Sequence, residues 1–190
     1  MKKILCILLL LLTGCSSKTS MIEIQKHVYV EKEFKDSWLE TNEFGDSYIK
    51  EELQGGYHYH FDQQFLEIFF NTGGKIELYN YSIKKNDLII SGEMIPPKTI
   101  RLVYPHLDNV TSEGVIIHEL GHYFDEKHQF SSSKQFTELY KKYRTLFNQK
   151  TKKEYFAECF KEYVGGHQEK VKPFHSYMKT ITQKIRQKNK

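Results

Sequence analysis

The sequence contains few of the residues that mark linkers and covalent cross-links. Its 190 residues include only four prolines, eleven glycines and three cysteines. Prolines and glycines this sparse do not outline a long interdomain linker, and no segment repeats at a fixed period. The net charge of +4 is small and both signs are mixed along the chain, which does not indicate a nucleic-acid partner. We therefore expect one compact domain with a short N-terminal addition and no nucleic acid among its ligands.

The longest apolar run lies at the N-terminus and is shorter than a transmembrane helix. Two lysines precede residues 4–12, which are all apolar, whereas a membrane-spanning helix needs about 20 apolar residues. Positive charge followed by a short apolar core is typical of a secretion signal. The sequence LTGC that follows at 12–15 resembles the bacterial lipobox, in which the cysteine receives a diacylglyceryl thioether.

The lipobox predicts where the mature protein begins and where it resides. Residues 1–14 would be the signal peptide, and residues 15–30 a lipidated Cys15 followed by a tether. Lipid on this cysteine would anchor the chain in the bilayer, so we expect it on the extracytoplasmic face of the cell membrane or released from there to the exterior. The alternative is an ordinary cleaved signal with a chance cysteine. Loss of Cys6 with the signal leaves Cys159 without a disulfide partner, and we expect it to be a small buried residue.

Apolar periodicity predicts a small sheet in the first half of the chain. Helical spacing of apolar residues indicates two short helices, over 31–41 and 63–70. Short stretches rich in β-forming residues indicate strands over 75–83, 87–91 and 99–104. The sheet and these two helices would come before the chemically distinctive part of the sequence.

Helical signals dominate the second half of the chain. Capping residues and a first-turn proline predict four helices, which begin near Ser112, Ser133, Thr151 and Pro173. We therefore predict an α+β fold for a single domain over 31–190, in which a small N-terminal mixed sheet with helices precedes a helical C-terminal half.

The run His-Glu-Leu-Gly-His at 118–122 carries the clearest chemical signal. His118 and His122 are four residues apart on a predicted helix, so their rings project from one face about 6 Å apart. This spacing suits two corners of a tetrahedral zinc site. Glu119 lies beside them and is placed to take a proton from water rather than to bind the metal. The alternative is a surface helix that carries two unrelated histidines.

Gly121 inside this helix indicates a close neighbour. A glycine within a helix costs about 1 kcal/mol relative to alanine, so its presence usually reports the close approach of another backbone. We expect a second helix to cross at this point and to supply the remaining metal ligand.

Glu154 and Glu158 are the candidates for the third ligand. They are four residues apart on the helix predicted to begin at Thr151, and hence on one face. One can bind zinc while the other accepts a hydrogen bond from the outer nitrogen of a ligand histidine, and the spacing does not say which is which. Thr151 and Glu154 also fit a capping box, in which the glutamate side chain turns back to the helix start.

The two motifs together resemble a family of zinc peptidases. The HELGH run with Asp125 after it, and the sequence EYFAECF at 154–160, resemble the catalytic domain of anthrax lethal factor and the secreted clostridial Pro-Pro endopeptidases. The likeness extends over about 115–185. It implies a zincin-like fold, one Zn²⁺ per chain and hydrolysis of peptide bonds. It also assigns the zinc ligand to Glu154 and the supporting role to Glu158.

Two further residues of this region have open roles. Asp125 either orients the ligand His122 from the outside or caps local backbone. Phe147 stands seven residues before Glu154, where the family has a catalytic tyrosine. Either Tyr143 or another tyrosine stabilises the oxyanion instead, or zinc does so alone at a reduced rate. As the alternative, Tyr143 is a core residue of its helix.

These patterns lead to one expected function and one alternative. We expect a monomeric, membrane-anchored zinc metalloendopeptidase with Glu119 as general base and a peptide or protein as substrate. An extended substrate would lie along a sheet edge beside the HELGH helix. The resemblance allows cleavage between prolines or near basic residues and does not choose between them. The alternative is a non-catalytic surface lipoprotein that retains the zinc site and binds a partner.

Overall fold

The N-terminal part of the molecule forms a mixed sheet and the C-terminal part is helical, which confirms the predicted α+β class. The computed structural model describes residues 20–32, 53–54, 58–79, 83–85, 88–103, 114–149 and 151–188. The signal peptide, the lipobox and most of the helix predicted over 31–41 lie outside these residues.

Within the described residues, seven short strands form two sheets. They are β1 (Met21–Gln25), β2 (Val28–Glu31), β3 (Lys75–Tyr79), β4 (Ile83–Lys85), β5 (Leu88–Ile90), β6 (Gly92–Ile95) and β7 (Thr99–Val103). The larger sheet has the order β1-β2-β3-β7-β6, while β4 and β5 pair separately as an antiparallel hairpin. The three central strands β2, β3 and β7 are parallel, and the edge strands β1 and β6 are antiparallel to their neighbours. The strand predicted over 75–83 covers β3 and reaches only the first residue of β4, and β6 was not predicted.

The tether predicted over 15–30 is wrong from Met21 onward. Met21–Gln25 and Val28–Glu31 are paired strands of the larger sheet, joined by a turn in which His27 adopts a φ of 68°. Val28 and Val30 are buried in the core. The alternation of apolar and polar residues over 21–31 is the period of a strand, and the domain therefore begins before residue 31.

Five α-helices of the described part of the chain follow the expected order. They are α1 (Gln64–Asn71), α2 (Val115–His128), α3 (Lys134–Tyr143), α4 (Lys152–Val164) and α5 (His175–Gln187), with 3₁₀ segments at Phe130–Ser132 and Gln168–Phe174. Ser133 and Thr151 cap α3 and α4 as predicted. The start of α2 differs, because Gly114 in the left-handed region precedes it and Ser112 lies outside the described residues. Among the helices that the structure describes, none has the length and hydrophobicity that a membrane span requires.

An aromatic cluster holds α1, α2 and α4 together. The ring centroid of Phe65 on α1 is 5.9 Å from that of Phe124 on α2 and 5.4 Å from that of Phe160 on α4. Phe124 and Phe160 are themselves 5.6 Å apart. All three side chains are fully buried, so burial of apolar area fixes how the two long helices pack.

The crossing of α2 and α4 is tight at Gly121, as the mid-helix glycine predicts. A Cβ atom built on Gly121 would lie 2.9 Å from Cα of Ala157 and 3.3 Å from its Cβ. Ala157 stands between Glu154 and Glu158 on α4. The absence of a side chain at 121 therefore lets the two helices bring their polar residues together.

Gly121→Ala is expected to destabilise the fold. The new Cβ would meet backbone atoms, which cannot move aside as a side-chain tip can. Overpacking of this kind costs about 1–3 kcal/mol, more than the gain of about 1 kcal/mol in helix propensity, so we expect a net loss of about 1 kcal/mol. Urea unfolding of the metal-free chain measures it, with Glu126→Ala on the exposed face of α2 as control. Equal stability of the Gly121→Ala and wild-type chains would contradict the tight crossing.

Candidate metal centre

Three potential metal ligands meet where α2 crosses α4. His118 and His122 lie one turn apart on α2, and Glu154 lies in the first turn of α4. The Oε2 atom of Glu154 is 3.2 Å from Nε2 of His118 and 3.2 Å from Nε2 of His122. The three ligand atoms lie within 4.8 Å of one another, and no other such group occurs in the described part of the chain. The fold thus brings together the three side chains that the sequence singled out.

The spacing of these atoms fits a tetrahedral zinc site. Bonds of about 2.0–2.1 Å from zinc to nitrogen or oxygen place neighbouring ligand atoms of a tetrahedron about 3.3–3.4 Å apart. The observed separations of 3.2 Å are close to this value. Two histidines and one glutamate form a ligand set of catalytic zinc sites, which leave a fourth position open. The side chain of Glu154 is half-exposed, so solvent can reach this group.

The start of α4 orients Glu154 towards the histidines. The hydroxyl of Thr151 accepts a hydrogen bond from the backbone N–H of Glu154 at 3.2 Å, which caps the helix. A full capping box would also turn the Glu154 carboxylate back to the backbone of Thr151. Here that carboxylate faces the two histidines instead. The cap and the candidate ligand therefore coexist, each using a different part of Glu154.

Glu158 lies one turn further along α4 and faces the outer nitrogen of His118. Its Oε2 atom is 3.2 Å from Nδ1 of His118, and its Oε1 atom is 2.6 Å from Nζ of Lys161. A carboxylate at this position fixes the tautomer of a ligand histidine and the direction of its ring. The geometry thus distinguishes the two glutamates that spacing alone left equivalent.

The hydrogen bonds to the histidines set the charges of the metal-free group. The pKa of Glu154 lies well below its ordinary value, chiefly because its carboxylate is hydrogen-bonded to His118 and His122. Burial lowers the pKa of His118, but the hydrogen bonds with Glu154 and Glu158 outweigh it and raise this pKa to about 9. At neutral pH the metal-free group therefore holds a protonated His118 between two carboxylates. A metal ion must displace that proton in order to bind.

Glu119 is buried beside the histidines but does not belong to the group of ligand atoms. Glu119 is only 6% exposed. Burial raises the pKa of its carboxyl group, and His118 and His122 oppose this rise. The backbone of Met94 lies near this carboxylate and favours its charged form, which opposes the effect of burial. A carboxyl group whose pKa is raised above its ordinary value takes up a proton more readily.

The position of Met94 also shows how α2 lies against the sheet. The backbone N–H of Val103 donates to the carbonyl of Ser91 at 2.8 Å, so by the alternation of an antiparallel ladder the backbone groups of Met94 point away from β7. A Cβ atom on Gly92 would lie 2.6 Å from Cγ1 of Val115, the first residue of α2. The edge of β6 that has no partner strand among the described residues therefore runs beside the helix that carries Glu119.

The structure favours the packing alternative for Tyr143. Its ring centroid is 6.1 Å from that of the buried Phe174, and its backbone carbonyl accepts a hydrogen bond from the hydroxyl of Tyr155 at 2.5 Å. The ring of Phe147 lies 5.2 Å from that of Tyr155. Since Tyr143 faces the core, the prediction that it stabilises an oxyanion at the metal is not supported by its position.

Asp125 takes the backbone-capping role rather than the histidine-orienting one. Its Oδ1 atom accepts a hydrogen bond from the backbone N–H of Ser131, and its Oδ2 atom accepts one from the Ser131 hydroxyl, both at 2.6 Å. Each carboxylate oxygen is engaged by Ser131, which favours the capping alternative over support of His122. It fixes the turn between α2 and α3.

Two contacts of the centre were missed by sequence reasoning. The backbone of Met94 could not be identified from the sequence, because backbone groups are common to all residues. Only the register of β6 with β7 shows that it lies near Glu119. Lys161 could have been found, since it lies three residues after Glu158 on the same helix face. Cys159, which lies between Glu158 and Lys161 in the sequence, is buried as expected for a small core residue. Burial raises the pKa of its thiol.

Comparison with known proteins gives no assignment of its own. No protein-family model matches the chain, and a search of curated proteins found no match either. The function must therefore be argued from the geometry of the centre.

Proposed function

We propose that this chain is a zinc metalloendopeptidase of the lethal factor-like, zincin type. The observation that carries the proposal is the single oxygen of Glu154 that lies 3.2 Å from Nε2 of both His118 and His122. The buried carboxylate of Glu119 next to this group adds what a purely structural zinc site does not need, a base.

The three side chains suit one Zn²⁺ ion per chain. His118, His122 and Glu154 would hold it, and Glu158 would support His118 from behind. Lewis-acid activation of water and polarisation of a carbonyl group are the chemistry that a zinc ion supplies at such a site when bound.

Glu119 moves the proton in this proposal. Its carboxylate accepts a proton from the attacking water and delivers it to the nitrogen of the leaving amine. Burial raises the pKa of the Glu119 carboxyl, which favours uptake of this proton, and the nearby backbone of Met94 opposes the rise.

The edge of β6 is where an extended substrate would lie. Within the described residues β6 has a partner strand on one side only. Gly92 and Met94 direct their backbone groups away from β7, towards the side on which Glu119 lies. A peptide added to this edge would present one bond to the centre without any side chain in between. Its sequence preference is left open by this arrangement.

Anchoring through Cys15 is a separate part of the proposal. The lipobox at 12–15 is the support for it, and a lipidated cysteine would hold the centre on the extracytoplasmic face of the membrane. β1 begins at Met21, which leaves residues 16–20 as the link between the lipid and the sheet.

A non-catalytic, partner-binding lipoprotein is the second candidate. The features that favour it are Phe147 in place of the family tyrosine and the core position of Tyr143. Glu119 argues against it, because zinc retention alone does not require a base.

A peptide-library digest separates the two candidates. The soluble chain from residue 16 is incubated with the library, and new termini are read by mass spectrometry, with the Glu119→Gln chain as control. We expect zinc-dependent new termini from the wild-type chain alone, at a consistent sequence. Peptides that are retained by both chains and remain intact would instead identify a binding protein.

A further inference from the structure

Lys161 is a largely buried cation next to the candidate metal centre. Its side chain is only 16% exposed, and its Nζ atom lies 2.6 Å from Oε1 of Glu158 and 3.7 Å from Oε1 of Glu162. The ring of Tyr59 faces it, with the centroid 5.8 Å from Nζ. A buried charge persists only where partners of opposite charge compensate for lost water, and Lys161 has two.

Glu162 is the fixed end of this arrangement. Its carboxylate is almost fully buried, with Oε1 accepting from the Tyr59 hydroxyl at 3.0 Å. Its Oε2 atom lies 3.1 Å from Nδ1 of His167 and 3.0 Å from Nζ of Lys170. Held from several sides, Glu162 cannot follow Lys161, and so it fixes where the ammonium group of Lys161 lies.

The stem of Lys161 also contacts the beginning of α2. A Cβ atom built on Gly114 would lie 3.1 Å from Cδ of Lys161 and 2.9 Å from the ring of Tyr59. The carbonyl of Gly114 accepts the hydrogen bond from the backbone N–H of His118 at 3.0 Å. Lys161 therefore links the two helices of the centre. It lies on α4 one turn after Glu158, and its stem packs against Gly114, the residue that precedes α2.

We propose that Lys161 is a positioning residue, which orients Glu158 so that this carboxylate holds the His118 ring with Nε2 towards Glu154. One oxygen of Glu158 is engaged by Lys161 and the other faces His118. Without the ammonium group the Glu158 side chain can rotate, and the His118 ring loses its fixed partner. This inference rests on the proposed zinc site and extends it beyond the residues that touch the metal.

The test is the zinc dissociation constant of Lys161→Met, measured by competition with a chromophoric chelator. Methionine keeps an unbranched stem against Gly114 and removes the charge. Loss of an outer partner of a zinc ligand costs about 10–100-fold in affinity, and we expect about tenfold for Lys161→Met because it acts through Glu158. Lys153→Met is the matched control, because Lys153 lies on the same helix but is 65% exposed, in a surface pair with Glu126. It should not change the affinity.

A double-mutant cycle tells positioning from general weakening of the fold. If Lys161 acts through Glu158, then Lys161→Met should have no further effect in a Glu158→Gln chain. An unchanged affinity of Lys161→Met in the wild-type background, or an equal loss in both backgrounds, would overturn the inference. Failure of the wild-type chain to bind zinc would overturn the proposed function instead.

A second variant covers the case in which Lys161→Met does not fold. Lys161→Gln also removes the charge but keeps a polar group in the partly buried position, and its shorter side chain cannot reach Glu158 as the lysine does. The same loss of affinity, absent in the Glu158→Gln background, is expected of it. Circular dichroism of the metal-free chains verifies that each variant is folded before affinity is compared.

Discussion

Glu154→Gln is expected to remove zinc from the chain, whereas Glu158→Gln should only weaken its binding. The Glu154 carboxylate lies 3.2 Å from both Nε2 atoms, where a ligand belongs. Glu158 faces Nδ1 of His118, on the far side of the ring. Loss of such an outer partner typically costs about 10–100-fold in metal affinity, and loss of the ligand itself should cost more.

The Glu154→Gln and Glu158→Gln variants serve as controls for each other. The two glutamates lie four residues apart on α4, and glutamine keeps the size of the side chain while removing its charge. Zinc content after dialysis against a weak chelator, and the dissociation constant by competition, give the order of the two effects. A greater loss in Glu158→Gln than in Glu154→Gln would exchange the roles of the two residues.

Glu119→Gln is expected to keep zinc and to lose peptide hydrolysis by about 10²- to 10⁴-fold, the range of a general base. Glutamine has the size of the glutamate that it replaces and keeps a carbonyl oxygen that can accept hydrogen bonds. Its amide nitrogen, however, cannot take a proton from water. The substitution thus removes the proton transfer while leaving the shape of the site and its ligands in place.

The rate and the zinc content must be measured on the same preparation. Glu126→Gln is the control, because Glu126 lies on the exposed face of the same helix and pairs with Lys153 at 3.5 Å. It should retain the wild-type rate. A Glu119→Gln chain that cleaves as fast as wild type would exclude Glu119 as the base, and one that has lost its zinc would make it a structural residue.

The helical half of the fold was predictable because its signals are local. Ser133 and Thr151 each accept the hydrogen bond that caps a helix, and Gly166 has the positive φ that ends α4. The sheet was less predictable, because strands depend on partners far along the chain. The pairing of β1 with β2 was therefore taken for a tether, although both strands alternate apolar and polar residues.

The candidate ligands were predictable only in part from local signals. Helical spacing placed His118 and His122 on one face but left Glu154 and Glu158 equivalent, and the resemblance to the lethal factor-like peptidases chose Glu154. What spacing could not supply was the partner of each side chain. Asp125 is engaged by Ser131 and Tyr143 packs against Phe174. Both partners lie in 3₁₀ segments outside the two helices, where helical spacing gives no information. The backbone of Met94 comes near Glu119 only through the register of β6 with β7.

The most direct test of a zinc peptidase is the rate of peptide cleavage as zinc is returned to the chelator-treated chain. We expect no cleavage without metal, a rise in rate with added zinc, and a plateau at one equivalent per chain, when His118, His122 and Glu154 are all engaged. Cleavage that survives complete removal of zinc, or a fully zinc-loaded chain that cleaves no member of the library, would contradict the assignment.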